Sequence, residues 1–552
     1  MNMGNLKPAS FRIAAGILLS LMALGVYSRW VLEDLPKQGL HYDVALFGVR
    51  MMNFYPGLDA MDRRLMTIGS RTYPLMCNDY NGAVECYLGA WPGMLLMGHS
   101  AFALNAMSVF WGYIQLIVMG AAGAVFFGSF WAMPVILALL GSSPSYVAFS
   151  RIGLYAGTVH GALFSFSLLF FFLYWKQRRG PGWLVASAAS MGLALGSRIL
   201  MLWYLTALGI TALGVTGLRQ RLLGLRKRDV AAVLAVFIPG PFLVLLANAR
   251  HDWFTLKFMT QFFFHSRGGV SNLAYLANIR ERLHEYCTLW NASAWTNVSE
   301  ANPLVPVLFL AALLWLVWGY FHQKREQGTP FVELFWAPLF CVVVLLLSPV
   351  TPTFLDVHHL SPLFLPSVLI VIAPLFVSLP RPWLLPVRVA FGLLLALYAG
   401  WNLHYYRVYH PHRNLHGGIQ VRWDVMGQAV EWMHQQKIQR VGLGDTGLQD
   451  PLDFQSGRMI MSEEVFVAPY MTDVRQADHE KHLRSRFRRE KQGYYLFFDP
   501  LWQRVSYRVR FMDIAQSEGK TVRRIHRVDS PEQEPAFVVY QVAESEERRP
   551  RR

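Results

Sequence analysis

AFALNAMSVFWGYIQLIVMGAAGAVFF, residues Ala101–Phe127, contains no Asp, Glu, Lys or Arg. It exceeds the run of about 20 apolar residues that a helix needs to cross a hydrocarbon core of about 30 Å. About ten further apolar runs, bounded by charges or by Pro and Gly, indicate additional spans. They centre on residues 11–31, 131–149, 157–175, 183–195, 200–218, 230–249, 303–321, 331–350, 361–379 and 389–406. We therefore predict an α-helical polytopic membrane protein with about eleven transmembrane helices.

Composition and charge support this class. The chain of 552 residues is 54% hydrophobic and 16% charged, a balance typical of membrane proteins. Its net charge of +16 does not indicate nucleic acid as a partner. The Lys and Arg residues form short clusters between apolar runs, and the last third of the chain is densely charged. Such clusters attract membrane lipids with anionic head groups. The clusters are Lys176, Arg178 and Arg179; Arg219, Arg221, Arg226, Lys227 and Arg228; Lys324 and Arg325; and Arg381 and Arg388.

The basic clusters also predict orientation. All of them fall on one side of the predicted topology, together with Lys7 and Arg12, and the positive-inside rule places that side in the cytoplasm. Reading residues 11–31 as a cleaved signal peptide leaves this topology unchanged. We therefore expect a multi-pass protein of the inner (plasma) membrane with a cytoplasmic N-terminus. Residues 32–100, 250–302 and those after 407 then lie outside.

The last part of the chain predicts a soluble domain. Residues 422–436 have an amphipathic helical pattern, and 509–517 read as a second helix. Arg440–Leu443, residues 493–498 (GYYLFF) and residues 536–542 (AFVVYQV) read as strands. We assign residues 1–406 to a transmembrane module, with outer loops 32–100 and 250–302, and residues 407–552 to a periplasmic or extracellular α/β domain.

Ionisable side chains at the predicted outer rim are the first candidates for chemistry, because such groups are costly to keep against lipid. Asp43, which follows Tyr42 outside the first span, is placed to act as a general base. Arg151 and Arg198 end spans on the same face and could clamp a phosphate. For each of these residues, an ordinary interfacial side chain is the alternative.

Adjacent His358 and His359 lie at the mouth of a later span, after Asp356. Neighbouring histidines rarely converge on one metal ion, so we interpret them as phosphate or sugar contacts, with interfacial histidines as the alternative. Cys77 and Cys86, two of four cysteines, share the first outer loop. An oxidising compartment would permit a disulfide between them, and two unpaired thiols are the alternative.

Several of these residues occur in an order that resembles a known family. Asp43-Val44-Ala45-Leu46-Phe47-Gly48 is similar to the Asp-Glu-Ala-x-Tyr motif of GT-C superfamily glycosyltransferases of the protein mannosyltransferase and aminoarabinose transferase type. Tyr80-Asn81-Gly82-Ala83-Val84-Glu85-Cys86-Tyr87-Leu88 resembles the Tyr-x-Gly-Ala-Leu-Glu-x-Tyr-Leu segment of bacterial members. Ser150-Arg151, Ser197-Arg198 and His358-His359-Leu360-Ser361-Pro362 resemble their Ser-Arg, Thr-Arg and Arg-Tyr-Leu-Leu-Pro segments. The resemblance covers roughly the first 400 residues, and its specificity lies in the common order of the motifs.

The resemblance implies transfer of a sugar from a polyprenyl-phosphate donor to a lipid, glycan or protein acceptor outside the membrane. Asp43 would be the catalytic base of an inverting displacement. Arg198, His358, His359 and Arg151 would bind the donor phosphate, and Tyr42, Asp79, Tyr80 and Glu85 would contact acceptor or sugar. No cofactor is required by the sequence, and a divalent metal ion, used by some relatives, is an alternative.

Two features depart from the family pattern. Val44 stands where the family usually has a Glu, and Tyr155-Ala156-Gly157 lacks an Asp often found after Ser-Arg. A second acidic function is therefore in doubt, with Glu85 or Asp79 as substitutes. The competing function is a multi-span transporter or lipid-sugar flippase. The sequence shows neither the internal repeat nor the broken helices that transporters usually have.

Overall fold

The structure is a computed structural model, and several segments lie outside its description. It describes residues 8–52, 64–78, 81–257, 260, 274–290, 302–323, 333–350, 357–377, 381–409, 424–445, 447–466, 473–499, 506–529 and 535–544. The chain divides into two compact units. The first comprises residues 1–33, 57–89 and 107–413, and the second comprises residues 34–56, 90–106 and 414–552.

Long apolar helices build the first unit. The predicted runs all contain helices. Lipid offers no hydrogen-bond partners to the main chain, and an apolar segment satisfies its own N–H and C=O groups by forming a helix. These helices are Pro8–Val31, Ala101–Phe127, Ala132–Gly141, Pro144–Arg151, Gly153–Ala156, Thr158–Trp175, Gly182–Ser197, Met201–Gly214, Thr216–Leu223, Lys227–Phe237, Pro239–Arg250, Tyr275–Trp290, Leu304–Gln323, Trp336–Leu347, Phe364–Phe376 and Arg381–Tyr409. Short 3-10 turns cover Ser348–Val350 and Val357–Leu363.

The number of membrane crossings differs from the prediction. Within the described residues, six helices are long and apolar enough to cross a membrane, or up to nine if each bent pair is one span. The predicted count of about eleven is therefore not confirmed. Ala132–Gly141 and Pro144–Arg151 meet at 74°, and Lys227–Phe237 and Pro239–Arg250 meet at 58°. A proline opens the second helix of both pairs, where its missing N–H and its ring end the preceding helix. Broken helices are therefore present, although the sequence did not reveal them.

Glycines bring two helices of this unit into backbone contact. A Cβ at Gly196 would lie 2.0 Å from the carbonyl oxygen of Gly240, and a Cβ at Gly192 would lie 2.2 Å from that of Phe237. The spacing Gly192-x-x-x-Gly196 puts both glycines on one face of helix Gly182–Ser197, so helix Pro239–Arg250 and its predecessor can approach closely. This contact fixes the end of helix Gly182–Ser197, from which Arg198 follows.

A short hairpin precedes the segment that carries Glu85. Strands β1 (Leu65–Ile68) and β2 (Arg71–Pro74) pair antiparallel. Cys77 and Cys86 follow, and both are buried; no disulfide joins them in this structure.

The second unit combines parts of the first outer loop with the C-terminal domain. Helix Tyr42–Met51 packs against helix Gln449–Gln455, and a Cβ at Gly48 would lie 2.4 Å from the ring of Phe454. The Asp424 N–H donates to the Lys37 carbonyl oxygen at 2.9 Å. The amide of Asn105 donates to the carbonyl oxygens of Gln38 and Gly39. Helix Trp91–Met97 also belongs to this unit.

A five-stranded sheet forms the centre of the C-terminal domain, and three of its strands were predicted from the sequence. Its strands are β3 (Arg440–Leu443), β4 (Met461–Glu464), β5 (Gln492–Phe498), β6 (Lys520–Asp529) and β7 (Pro535–Glu544), in the order β4-β3-β5-β7-β6. Strands β3, β4 and β5 run parallel, whereas β7 is antiparallel to β5 and β6.

Side-chain alternation gives the sheet two apolar faces. Leu496, Phe537 and Val539 face a core that includes helix Val425–Gln435. Tyr495, Phe497, Val538 and Tyr540 face the opposite core, with helices Asp473–Arg489 and Ser506–Ser517. Successive residues of β5 and β7 therefore alternate between the two cores, as the period of two in a strand requires.

Candidate active site

Glu85 is the centre of a buried polar cluster in the first unit. Its side chain is 0% exposed, and its Oε1 accepts a hydrogen bond of 2.8 Å from Nδ1 of His160. Nε of Arg198 lies 3.6 Å from the same oxygen. A carboxylate without access to water requires such partners, because the cost of burying an unpaired charge is several kcal/mol, on the order of 3 to 5.

The backbone before His160 determines where its ring lies. His160 is in the first turn of helix Thr158–Trp175, and Gly157 before this helix has a φ of +94°, in the left-handed region. A Cβ at Gly157 would lie 2.0 Å from the His160 ring, so only glycine fits there. His160 was not identified from the sequence, because it is a single histidine within a predicted apolar run.

The end of the preceding helix and a backbone contact with Asn81 fix the position of Arg198. It follows helix Gly182–Ser197 in an extended conformation, and its backbone forms an isolated β-bridge with Asn81. A Cβ at Gly82 would lie 1.9 Å from the Gly196 carbonyl oxygen, which shows how closely the Asn81–Gly82 segment approaches this helix end. The Arg198 side chain is 4% exposed, and Nη2 donates to the Leu154 carbonyl oxygen at 3.4 Å.

The two histidines and a second arginine extend the cluster. The rings of His358 and His359 lie 3.9 Å apart in the 3-10 turn Val357–Leu363, and the Tyr204 hydroxyl donates to the His359 carbonyl oxygen at 2.8 Å. Arg282, 2% exposed on helix Tyr275–Trp290, pairs with Glu285 at 3.2 Å. Helix Tyr275–Trp290, which carries Arg282, and helix Thr158–Trp175, which carries His160, both pack against this 3-10 turn.

Burial and the neighbouring side chains have opposite effects on the pKa of Glu85. Burial raises the pKa of the Glu85 carboxyl, but the Arg198 guanidinium and the hydrogen bond from His160 lower it by more, so the pKa lies below its ordinary value. Glu85 is therefore ionised at neutral pH. Ser197 adds to this effect, yet neither its hydroxyl nor Oε2 of Glu85 has a hydrogen bond of ordinary geometry among the described residues. Oε2 is thus an acceptor available to a ligand.

Solved structures resemble the whole chain in fold. ArnT from Cupriavidus metallidurans bound to undecaprenyl phosphate has a TM-score of 0.57 at 13% identity, with 95% of this chain and 97% of that chain covered. Its apo form has a TM-score of 0.57 at 14% identity, covering 96% and 98%. The chain has the fold of ArnT. Mycobacterial arabinofuranosyltransferase AftD follows with a TM-score of 0.49 at 15% identity, covering 96% of this chain and 41% of that chain. No protein-family model and no curated protein sequence matches the chain.

Within this fold, the structure brings together four of the predicted site residues: Glu85, Arg198, His358 and His359. Arg151 has other contacts. It ends helix Pro144–Arg151, and its Nη1 donates to the carbonyl oxygens of Glu33 at 2.6 Å and Trp30 at 3.4 Å, at the end of the first helix. A role for Arg151 at a phosphate stays a prediction.

The side chains of four other predicted site residues lie outside the part of the chain that the structure describes. Asp79 and Tyr80 lie outside the described residues. Tyr42 and Asp43 begin helix Tyr42–Met51, but the description does not extend to their side chains. Asp356 also lies outside the described residues. The role of Asp43 as a base therefore stays a prediction.

The described residues contain no group of three or more His, Cys, Asp or Glu side chains arranged to hold a metal ion. Glu85 has two cationic or proton-donating neighbours at Oε1, which is an arrangement suited to an ion pair.

Arg282 was not identified from the sequence either, because it lies in a predicted outer loop among other charged residues.

Proposed function

We propose that the chain is a glycosyltransferase that moves a sugar from a polyprenyl-phosphate donor to a lipid, glycan or protein acceptor. The reaction would occur at the outer face of the inner (plasma) membrane, with the C-terminal domain on the same side. The supporting observation is the buried cluster of arginine and histidine side chains around Glu85 in a GT-C fold. A structure of this fold, ArnT, is bound to undecaprenyl phosphate.

The cluster suits a phosphate whose charge grows during the reaction. A sugar phosphodiester carries one negative charge, and its departure as a phosphate monoester develops a second one. Arg198, His358 and His359 supply guanidinium and imidazole N–H groups for these oxygens, and Nδ1 of His359 has no hydrogen-bond partner among the described residues. Fixed donors placed where charge develops stabilise the transition state more than the ground state.

In the proposed reaction, an acceptor hydroxyl or amine attacks the anomeric carbon of the donor sugar. The bond from that carbon to the phosphate oxygen breaks, and the phosphate leaves with the electron pair as polyprenyl phosphate. Asp43 takes the proton from the acceptor. One displacement inverts the configuration at the anomeric carbon, and no step requires a metal ion.

Glu85 has two roles in this proposal. As the counter-ion of Arg198, it holds the guanidinium in place before the donor arrives. Its Oε2 is available to accept a hydrogen bond from a sugar hydroxyl. Tyr42, Asp79 and Tyr80 are proposed to complete the sugar and acceptor contacts.

The test uses the full-length protein in lipid nanodiscs with a panel of radiolabelled undecaprenyl-phosphate hexoses and pentoses. We expect release of undecaprenyl phosphate, unchanged by EDTA, and at least a hundredfold loss of rate in Asp43→Asn. Asp34→Asn is the matched control, because Asp34 is exposed in the same loop and its φ of +53° suits Asn equally well. A rate in Asp43→Asn equal to that of the control removes Asp43 from the mechanism.

The donor site has its own test. Arg198→Ala should raise the KM for the donor at least tenfold, which corresponds to about 1.4 kcal/mol or more. If donor affinity does not change, the phosphate assignment is wrong. A transporter or flippase would instead move the labelled lipid across proteoliposomes without cleaving it, so flipping without release of undecaprenyl phosphate overturns the enzyme proposal.

A further inference from the structure

A cleft of about 370 Å³ opens in the C-terminal domain between helix Val425–Gln435 and strand β6. This volume lies in the range of small-molecule sites, about 300 to 1,000 Å³. The helix contributes Gln428, Glu431, Trp432 and Gln435. These positions are spaced i, i+3, i+4 and i+7, so they form one continuous face of the helix. Trp432 is half-buried and the other three side chains are exposed.

The opposite wall belongs to β6, which is an edge strand. It contributes His526, Arg527 and Asp529. The rings of Trp432 and His526 stack directly on each other, with centroids 4.1 Å apart and planes 2° from parallel, so the pair joins the two walls as one aromatic surface. Nε of Arg527 donates to Oδ1 of Asp529 at 2.6 Å. Burial lowers the pKa of the His526 imidazole below its ordinary value, against the opposing charge of Asp529, so this ring is neutral at neutral pH.

The chemistry of these walls matches a polyol. Each glutamine amide offers two N–H donors and one carbonyl acceptor, Glu431 and Asp529 accept, and Arg527 donates. A sugar hydroxyl is both donor and acceptor, and therefore uses both kinds of partner. The C–H groups of a sugar ring pack well against aromatic side chains such as those of Trp432 and His526.

The charge of the cleft argues against anionic ligands. Among the described residues that line the cleft, Glu431 and Asp529 outnumber Arg527, which is the only one with a fixed positive charge. A phosphate, an acidic lipid head group or a nucleic acid would be repelled rather than attracted here. We propose that this cleft binds a neutral saccharide chain. The proposal does not depend on the glycosyl transfer proposed above, because none of its residues belongs to the Glu85 cluster.

An extended peptide is the competing ligand, because an edge strand such as β6 can accept a further strand through main-chain hydrogen bonds. Such a peptide would bind through the main chain of β6 and would leave Gln428, Gln435 and Trp432 on the helix side unused. The saccharide uses both walls of the cleft, and is therefore the better match.

The test applies full-length protein in nanodiscs to an array of neutral oligosaccharides of glucose, galactose, mannose and N-acetylglucosamine. Detergents with sugar head groups are left out because they would compete. We expect at least one oligosaccharide to bind, and Trp432→Ala to weaken that binding at least tenfold. Since Trp432 also packs against the apolar core, Gln435→Ala is the second variant: its side chain is exposed, and binding should fall several-fold.

His482→Ala is the control, because His482 is exposed on helix Asp473–Arg489 and does not line the cleft. Binding by this variant should equal that of the parent. The proposal is overturned if no oligosaccharide binds at about 10 mM, a concentration sufficient for even weak complexes. It is also overturned if Trp432→Ala and Gln435→Ala bind like the parent, or if extended peptides bind the cleft and the oligosaccharides do not displace them.

Discussion

Replacing Glu85 by Gln removes one negative charge from the buried cluster while keeping the size of the side chain and an acceptor for His160. The charge on Arg198 then loses the attraction of the Glu85 carboxylate. At 3.6 Å, and with an effective dielectric constant of about 20, the lost attraction is about 5 kcal/mol. Breaking one side of a buried pair costs about 3 to 5 kcal/mol in measured cases, so we expect a loss of this size.

The assay is SDS-titration unfolding in mixed micelles, comparing the free energy of unfolding of the parent with that of each variant. Glu333→Gln is the matched control, because Glu333 pairs with Lys176 in the same unit but is 36% exposed. Its loss should stay below about 1 kcal/mol, as for other exposed pairs. In the double variant Glu85→Gln/Arg198→Gln, no buried charge is left unpaired, so it should be more stable than Glu85→Gln alone.

Two results would refute this reasoning. One is a loss in Glu85→Gln no larger than that in Glu333→Gln, which would mean that Glu85 does not stabilise Arg198. The other is a double variant whose loss is the sum of the two single losses, because independent sites are additive whereas paired charges are not.

The remaining predictions concern the C-terminal domain and the helix contact. Burial raises the pKa of Asp445 to about 6, against the opposing effects of the Phe498 N–H and Arg508. Because the folded-state pKa lies above the unfolded one, the stability from Asp445 is complete below pH about 4 and is lost as pH rises through about 6, by about 3 kcal/mol. Hydrogen exchange of the β5 amides, corrected for intrinsic rates, should show this loss in the parent relative to Asp445→Asn. Gly196→Ala should cost more than about 3 kcal/mol in SDS titration, because its Cβ would lie 2.0 Å from the Gly240 carbonyl oxygen.

Each of these predictions has a clear contrary result. If the stability measured by hydrogen exchange changes equally in the parent and in Asp445→Asn between pH 4 and 8, other carboxyl groups cause the pH dependence. For the helix contact, Gly209→Ala is the control, since nothing lies within 4 Å of a Cβ at Gly209. That variant should be neutral or more stable by up to about 1 kcal/mol. Equal losses at both glycines would show that close approach is not what Gly196 provides.

Apolar runs predicted the helical membrane fold well, because lipid leaves the main chain few alternatives. The bends were harder to predict. Residues 131–149 read as one span, yet the chain turns by 74° at Ser142 and Ser143, where Pro144 opens a new helix. Both serines are buried in the structure, and in the sequence they resemble ordinary small residues of a membrane helix.

The candidate site was predicted in part. Arg198 was identified because it ends an apolar run at the predicted outer face, and His358 and His359 because they lie at the mouth of another run on that face. Glu85 was identified because its segment resembles a motif of the family. His160 was missed because a single histidine in an apolar helix has no local pattern, and only its hydrogen bond to Glu85 reveals it. Arg282 was missed because its ion pairs with Glu281 and Glu285 are typical of any exposed helix, whereas the structure buries it.

The hydrogen bond from the Asp424 N–H to the Lys37 carbonyl oxygen joins two residues that are far apart in the sequence. At the rate of translation, about 5 to 20 residues per second, residues 34–56 are made roughly 20 to 80 s before the domain against which they pack. During that interval helix Tyr42–Met51 has no Phe454 to cover Gly48. The newly made protein therefore completes this unit only at the end of biosynthesis, and a ribosome that stops before residue 424 leaves an early segment permanently without its packing partner.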